Sequence, residues 1–494
     1  MSQQGFYRPQ GAWVGDVIPW QEDGTFHLFY LRETRRTPAE GMPWHRVVTE
    51  DLAGFQELGE AIGSGGTSAD DFNVYTGSIV LEADGTHHAF YTGQNPAKTG
   101  KDGRPLQLVM RATSNDGMHT WQRRPQDTFG ATDGYETGDW RDPFVFWDEE
   151  AQLWRMLITA RRAEGPARRR GVIAQCVSSD LVRWEPAEPF WDPQRYVAME
   201  CPEVFQWGEW WYLVYSEFSD AFTTRYRMSR SQHGPWIVPE HDTLDGRAFY
   251  AAKSAGRDCR RFFFGWIASR EGARDDGAWQ WAGTMAVLEA DQRPDGTLAF
   301  HPTDGLRETL DTEIADGAGI AAGTLLDAPS SRAEVLTSTD APSAFRSVVR
   351  FGISDGTTEC GVLLRASADG DEAYVLRLEP KRGRLVFDRW PRRSTGTEQW
   401  QISGDVPFAI ELERPCHLEP GVHELEVIVD GDICVATVDN ATVLSTRIYD
   451  RPTGRLGVFV GEGTVTIDAF SVFTRAEPGD EPGSQDHDLV AAAT

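Results

Sequence analysis

Residues 176–184 read CVSSDLVRW, and phrases of the same kind stand at 47–55 (VVTEDLAGF), 111–121 (RATSNDGMHTW) and 228–236 (MSRSQHGPW). Each is a polar turn closed by an aromatic side chain: Phe55, Trp121, Trp184 and Trp236, spaced by 66, 63 and 52 residues. The turns follow short apolar runs with strand patterning, among them FHLFYL (26–31), HHAFYTG (87–93), LWRMLITA (153–160) and WWYLVYS (210–216). Two or three strands ending in such a turn, at a period of about 50 residues, is how a propeller blade looks in sequence. A fifth unit from Arg247 to His301 carries FYAAKSA, RFFFGWIAS, GTMAVLEA and GTLAFHP. The sequence therefore predicts an all-β protein with a five-bladed β-propeller over residues 1–315.

Downstream the texture changes. A Gly- and Ala-rich passage, Asp316 to Thr324, opens a stretch (316–346) that reads as linker and start of the next domain. Alternating strands follow, SVVRF, GVLLRA, AYVLRLEP, RLVFDRW, FAIELE, HELEVIVDG, ICVATVD, RLGVFVG and VTIDAFSVF, and predict a C-terminal β-sandwich over 347–474. Residues 475–494 are acidic and poor in apolar residues, which predicts a disordered tail.

The 494 residues carry 48 Lys and Arg against 76 Asp and Glu, a formal charge of -28. Such a field repels phosphate backbones and anionic lipid heads, which argues against nucleic acid or a membrane as partner. With 40% hydrophobic residues and 18 Trp, the chain can fill a large core and still display many rings. The cysteines (Cys176, Cys201, Cys259, Cys360, Cys416 and Cys434) form no CxxC pair, so neither a disulfide framework nor a zinc site is expected. The first residues, MSQQGFYRPQGAW, lack a basic segment followed by an apolar one, and no apolar run reaches about 18 residues. The expected location is the cytoplasm.

Three acids begin apolar strands at similar distances before the closing aromatics. Asp16 opens DVIPW, Asp142 opens DPFVFW and Glu200 opens ECPEVFQW, 39, 42 and 36 residues before Phe55, Trp184 and Trp236. Equivalent phase puts them on the first strands of blades 1, 3 and 4, nearest the propeller axis. Converging carboxylates raise one another's pKa, a cost kept mainly for chemistry or cation binding. Glycoside hydrolysis needs such a set, one carboxylate to attack and one carboxyl to donate a proton. Acids at strand starts also cap turns, so the spacing alone leaves both readings open.

These residues resemble glycoside hydrolase family 32, the invertase, inulinase and levanase group, over Trp13 to Phe473. Trp140-Arg141-Asp142-Pro143 is similar to the family's Arg-Asp-Pro motif, and Glu200-Cys201-Pro202 to its Glu-Cys motif. Tyr75-Thr76-Gly77-Ser78, Trp44-His45 and Phe249-Tyr250-Ala251 support the match. The resemblance implies a retaining hydrolase of β-fructofuranosides, whether sucrose, fructo-oligosaccharides or fructans. It implies Asp16 as nucleophile, Glu200 as acid/base and Asp142 as the residue that binds fructose hydroxyls. Arg141 would bridge sugar and carboxylate, Trp13, Trp44 and Tyr75 would wall the pocket, and Ser78 and Tyr250 would join the substrate-binding set. A small carbohydrate is the expected partner, neither metal nor other cofactor is implied, and the sandwich is where a homo-oligomer contact would form.

The sequence also departs from the family. Trp-Met-Asn-Asp-Pro-Asn-Gly reads here as Trp13-Val14-Gly15-Asp16-Val17-Ile18-Pro19, without either asparagine; Met199 replaces a Trp, and Leu288-Glu289 stand where Pro-Arg is common. The catalytic set survives while the specificity shell has drifted. Arg168-Arg169-Arg170 would suit a substrate phosphate but reads better as a solvated hairpin tip. His45 is as well read as a structural histidine as a substrate contact, and Trp279 and Trp281 as packing or as sugar platforms. Cys201 reads as a packed neighbour of Glu200.

Three other readings stay open at this point. A fructosyltransferase or anhydride-forming enzyme would share the covalent intermediate, and an inverting arabinan- or xylan-active propeller would use three acids without both motifs. A carbohydrate-binding propeller without turnover would need no paired acid and nucleophile.

Overall fold

The computed structural model describes residues 2–314, 319–391 and 411–476. It is almost wholly β. After a short β1 (Ser2–Gln4), the chain runs through five consecutive antiparallel meanders. The first holds β2 (Trp13–Glu22), β3 (Thr25–Glu33), β4 (Trp44–Thr49) and β5 (Gly54–Ile62). The second holds β6 (Asn73–Leu81), β7 (His87–Thr99), β8 (Pro105–Ser114) and β9 (Gln122–Arg123); the third holds β10 (Tyr135–Asp148), β11 (Leu153–Arg162), β12 (Gly171–Ser178) and β13 (Glu185–Trp191). In the fourth, β14 (Glu200–Trp207), β15 (Trp210–Glu217) and β16 (Thr223–Ser229) are edged only by bridges from Ile237 and Thr243. The fifth comprises β17 (Phe249–Arg257), β18 (Arg260–Arg270), β19 (Trp279–Gln292) and β20 (Leu298–Pro302).

The repeated phrase is the turn after the third strand. In the first three copies an Asp accepts main-chain or side-chain hydrogen bonds across it: Asp51 from Gly54 N at 2.7 Å, Asp116 from Thr120 N at 3.0 Å and Asp180 from Arg183 N at 2.8 Å. Leu52, Met118 and Leu181 take φ values of 65°, 66° and 59°, which turn their side chains into the core, where all three are buried. The first strands β2, β6, β10, β14 and β17 touch in that cyclic order, and β17 closes on β2. A bridge between Val14 and Gly283 joins the first meander to the last.

After α1 (Asp304–Glu308) the chain enters an eleven-stranded sheet system: β21 (Thr312–Glu313), β22 (Thr324–Asp340), β23 (Ala344–Ile353), β24 (Glu359–Ala366), β25 (Ala373–Glu379), β26 (Arg384–Trp390), β27 (Leu412–Pro415), β28 (Gly421–Asp430), β29 (Ile433–Val438), β30 (Thr442–Arg447) and β31 (Arg455–Thr474). The long β31 pairs with β22 and β24 along its first part and with β23 along its second. The sheet system thus begins well before residue 347. Its 17-residue strand β22 lies in the stretch 316–346 read as linker and start of the next domain, and its pairing partner β31 is more than a hundred residues away. Half of the expected strand FAIELE (408–410) and all of 477–494 lie outside the described residues.

The fourth and fifth meanders and the C-terminal sheet share one apolar core. A single buried cluster contains Phe205, Tyr226, Phe263 and Leu288 from the fourth and fifth meanders and Phe345, Leu376, Leu425 and Val458 from the C-terminal sheet. No helix among the described residues is long and apolar enough to cross a membrane.

Candidate active site

One irregularity recurs in all five meanders. The pairing of first and second strands slips by one residue between Val14 and Val17, Tyr75 and Gly77, Arg141 and Phe144, Glu200 and Glu203, and Tyr250 and Lys253. A bulge bends the strand and lets neighbouring residues present side chains to one side, which strict alternation forbids. Just before it, Tyr75, Arg141, Glu200 and Tyr250 face Thr92, Thr159, Ser216 and Trp266. Continuing the register of the Val14–Arg32 pair puts Gly15 opposite Leu31. Counted from the last paired residue before the slip, Glu200 stands at the position of Arg141 and Val14, Asp142 one residue later and Asp16 two residues later. The three acids are not strictly in phase, and the bulge is what brings them to the same cavity.

Asp16 accepts a hydrogen bond from the Thr76 hydroxyl at 2.5 Å and another from the Trp266 indole N–H at 3.0 Å. Burial and the nearby Asp142 charge push its pKa up to about 6, against the pull of those two donors. Asp142 sits at φ 56°, its peptide N–H donating to Thr92 Oγ1 at 2.8 Å. Its Oδ2 accepts from the Thr159 hydroxyl at 3.1 Å and from the Cys201 peptide N–H at 3.0 Å. The Cys201 thiol lies 3.7 Å from Asp16 Oδ2, so this one residue touches two of the three acids. Burial, then the charges of Asp16 and Asp142, lift that thiol well above its usual pKa, and it stays protonated. It is a packed donor, not a nucleophile.

Glu200 is gripped from two sides. Arg141 Nη2 donates to Oε1 at 3.0 Å and the Tyr250 hydroxyl donates to Oε2 at 2.7 Å. Burial dominates nonetheless and, helped by Asp142, raises the Glu200 pKa. The Arg141 guanidinium also donates to Asp139 Oδ1 at 2.6 Å and Gln107 Oε1 at 3.2 Å. Burial pushes Asp139 up, but Arg141 and Arg104 outweigh it and hold its carboxyl below the usual range. Phe222 stacks on the Tyr250 ring at 4.1 Å and fixes its plane.

These groups open into a cavity of about 460 Å³, lined by Asp16, Asp142, Glu200, Arg141, Tyr75 and Thr76 together with Arg104, Gln107, Asp139, Phe218 and Trp281. Other expected contacts lie behind the wall. Trp44 is fully buried and donates its indole N–H to Tyr75 O at 3.0 Å, so it props Tyr75 and does not face the cavity. Ser78 is buried as well, donating to Pro143 O and accepting from Val145 N, both at 2.9 Å, which ties β6 to β10 and leaves no group for a sugar. Trp13 stacks under the Arg35 guanidinium at 4.0 Å and is not among the lining residues. His45 lies away from the cavity, and burial and Arg32 lower its pKa to about 4. Trp279 stacks with Arg270 at 3.9 Å, whereas Trp281 lines the cavity. Arg168, Arg169 and Arg170 stand at a 3₁₀ turn outside the lining. Thr76, Thr159 and Trp266 escaped the sequence reading because their spacing marks only strands; Trp266 becomes visible only once β18 is paired with β17.

A protonatable carboxyl held by Arg and Tyr, a second carboxyl buried beside it and a third held by a peptide N–H, together in one cavity of an all-β fold, define a glycoside hydrolase. The chain belongs to glycosyl hydrolases family 32, enzymes that hydrolyse O-glycosyl bonds: the model of that family's N-terminal domain matches residues 7–296. Among curated relatives, the chain is 22% identical over 492 residues to a levanbiose-producing levanase of Bacillus subtilis (strain 168), covering 91% of this chain and 86% of that one. It is 25% identical over 316 residues to a levanase of the same organism, covering 58% of this chain and 43% of the relative's length. Among solved structures, fructan 1-exohydrolase IIa from Cichorium intybus superposes with a TM-score of 0.75 at 18% identity, covering 96% of this chain and 97% of that one. That likeness is one of fold.

Proposed function

We propose that the protein is a retaining hydrolase of β-fructofuranosides. Asp16 attacks C2 of the fructosyl unit, and the bond to the leaving oxygen breaks as Glu200 gives that oxygen its proton. The ionised Glu200 then takes a proton from water, the water oxygen bonds to C2, and Asp16 leaves as the carboxylate. Asp142 accepts hydrogen bonds from ring hydroxyls and steadies the positive charge that develops at C2. Arg141 holds Glu200 in line, and Tyr75 walls the sugar.

The observation that carries this reading is the different footing of the two carboxyls around Cys201. Burial raises the pKa of both, but Asp16 is held by two neutral donors, Thr76 and Trp266, whereas Glu200 stands in the middle of a Tyr–Glu–Arg chain that fixes its orientation. The family match and the levanase relative support the class of sugar. For the architecture, we read the five meanders as the blades of a propeller from Trp13 to Pro302, which the cyclic contact of their first strands supports, and the sheet from Thr312 to Thr474 as a sandwich.

The test is incubation with sucrose, inulin-type and levan-type oligosaccharides, with products separated by chromatography and the first-formed anomer of fructose read by NMR. Release of fructose as the β-anomer is expected. Inversion at C2, or transfer to sugar without hydrolysis, would overturn the reading.

A further inference from the structure

The chain is built almost without lysine. Its 48 basic residues include four lysines, Lys98, Lys101, Lys253 and Lys381, and the rest are arginine. Lys98 is partly exposed, Lys101 and Lys381 are exposed, and Lys253 is buried, at 2%. Taking an ammonium out of water is costly unless the fold compensates it. Yet among the described residues Lys253 has no carboxylate within ion-pair reach; its Nζ donates to Gly77 O at 2.6 Å and lies 5.3 Å from the centre of the Phe144 ring.

Those contacts fix where the charge sits. Lys253 is the first residue paired after the slip in β17, and Gly77 the first after the slip in β6. In the ring of first strands β17 adjoins β14 and β2, and β6 adjoins β2 and β10, so the Lys253 side chain crosses the axis to a strand that is not its neighbour. Phe144 belongs to β10, and on β14 the same charge acts on Cys201. Burial, then Asp16 and Asp142, raise that thiol's pKa, and Lys253 pulls it the other way. A compact point charge suits this central place between strands, where a planar guanidinium would need more room.

The cavity above it is rich in negative charge. Asp16, Glu33, Asp139, Asp142 and Glu200 line it against Arg104 and Arg141. Arg104 is engaged by Glu136 and Asp139, and Arg141 by Asp139 and Glu200. The titratable groups that face Asp16 are Asp142 on β10, Glu200 and the Cys201 thiol on β14 and the Tyr250 hydroxyl on β17, none of them cationic. The acceptor of Lys253 supplies a second link, because Gly77 follows Thr76, whose hydroxyl donates to Asp16 at 2.5 Å.

We infer that Lys253 is a positioning residue for the attack on C2: from the axis it tethers the bulge that aims Thr76 at Asp16, and its charge offsets that of Asp142 so that Asp16 stands ionised beside it. It is not among the residues that line the cavity and so acts through Thr76 and Asp16. The inference rests on the nucleophile's role proposed above and adds the group that keeps it charged.

Lys253→Met keeps the length of the side chain and removes its charge and its donor. With folding verified by thermal unfolding, the acid limb of kcat/KM on the fructoside turned over best is expected to move up by about one pH unit, with KM at pH 8 within about threefold of wild type. A side chain that only packs would leave the limb in place. A second measurement needs no substitution at 253: Lys98, Lys101 and Lys381 are replaced by arginine, so that ¹⁵N-lysine labelling gives one ammonium signal. That signal is expected to shift with a midpoint at about pH 6, and to lose the step in Asp16→Asn. A folded Lys253→Met with an unmoved acid limb, an ammonium signal indifferent to pH from 5 to 7, or a step retained in Asp16→Asn would overturn the inference. A wild type inert on every fructoside would instead overturn the function proposed above, and the ammonium titration would still decide whether Lys253 and Asp16 are coupled.

Discussion

The indole N–H of Trp266 donates to Asp16 Oδ1 at 3.0 Å, so a side chain of the fifth meander holds the carboxylate that the first supplies. This bond and that from Thr76 favour the ionised form, while burial and Asp142 oppose it, and the balance puts the Asp16 pKa at about 6.

Activity is accordingly expected to fall as pH drops through about 6, because protonated Asp16 cannot attack. Thr76→Val removes a donor to the charged form and should move the acid limb of kcat/KM to higher pH. The stability effect has the opposite sense from that of an ordinary salt-bridged Asp. A carboxyl whose pKa is higher folded than unfolded binds its proton more tightly in the fold, so its ionised form costs stability above about pH 6. Asp16→Asn should unfold at a higher temperature than the wild type at pH 8, and the advantage should vanish below the ordinary carboxylate value of 3.8. Melting curves across pH 3.5–8 provide the check.

Asp16→Ala and Glu200→Ala should separate on an activated aryl fructoside. The first loses the attacking group and should be inert with every leaving group. The second should lose about 10²–10⁴-fold on sucrose yet keep much of its activity on the aryl substrate, where little protonation is needed, and azide should speed it by attacking the intermediate. Equal losses without an azide response would remove the assignment of roles.

Tyr250→Phe keeps the ring stacked on Phe222 but removes the donor to Glu200 Oε2. That hydrogen bond lowers the Glu200 pKa against burial, so its loss should carry the alkaline limb of the pH–rate profile upward. We expect about a tenfold loss of kcat as the acid loses its fixed orientation. An unmoved alkaline limb would assign Tyr250 a packing role only.

Arg447, from β30, is fully buried and reaches into the fifth meander, donating to Ile267 O at 2.8 Å, Ala268 O at 3.1 Å and Thr284 Oγ1 at 2.8 Å while pairing with Asp432 at 3.0 Å. Arg447→Ala strands these acceptors and should cost about 3 kcal/mol. Because the two parts share a core, calorimetry should record one unfolding transition, lowered in the variant, not two. Separate transitions for the meanders and the C-terminal sheet would contradict this.

The turns were legible in sequence because they are local: Asp51, Asp116 and Asp180 each organise a few residues of their own chain, and a closing aromatic marks the end of each unit. Alternating apolar residues likewise announce strands without any partner being known. Asp16, Asp142 and Glu200 were readable for the same reason, as acids at the head of apolar strands and within short motifs. Pairing across long separations is not written in any one segment. Where the linker ends and the sheet begins within 316–346 was not legible, because β22 is stabilised by β31, more than a hundred residues on. The one-residue slips that turn Asp16 and Glu200 into the same cavity leave no trace in spacing, and they separate wall from scaffold: Trp44 and Ser78 carry the right residue types yet point into the packing. The choice of Gly15 has meaning only through Trp281, 266 residues downstream, since no local backbone demand explains it. The sequence by itself determined the strands, the turns and the acids; the tertiary structure alone decided which side chains meet, because contact depends on register and closure between meanders, which are set by the packing of the whole chain.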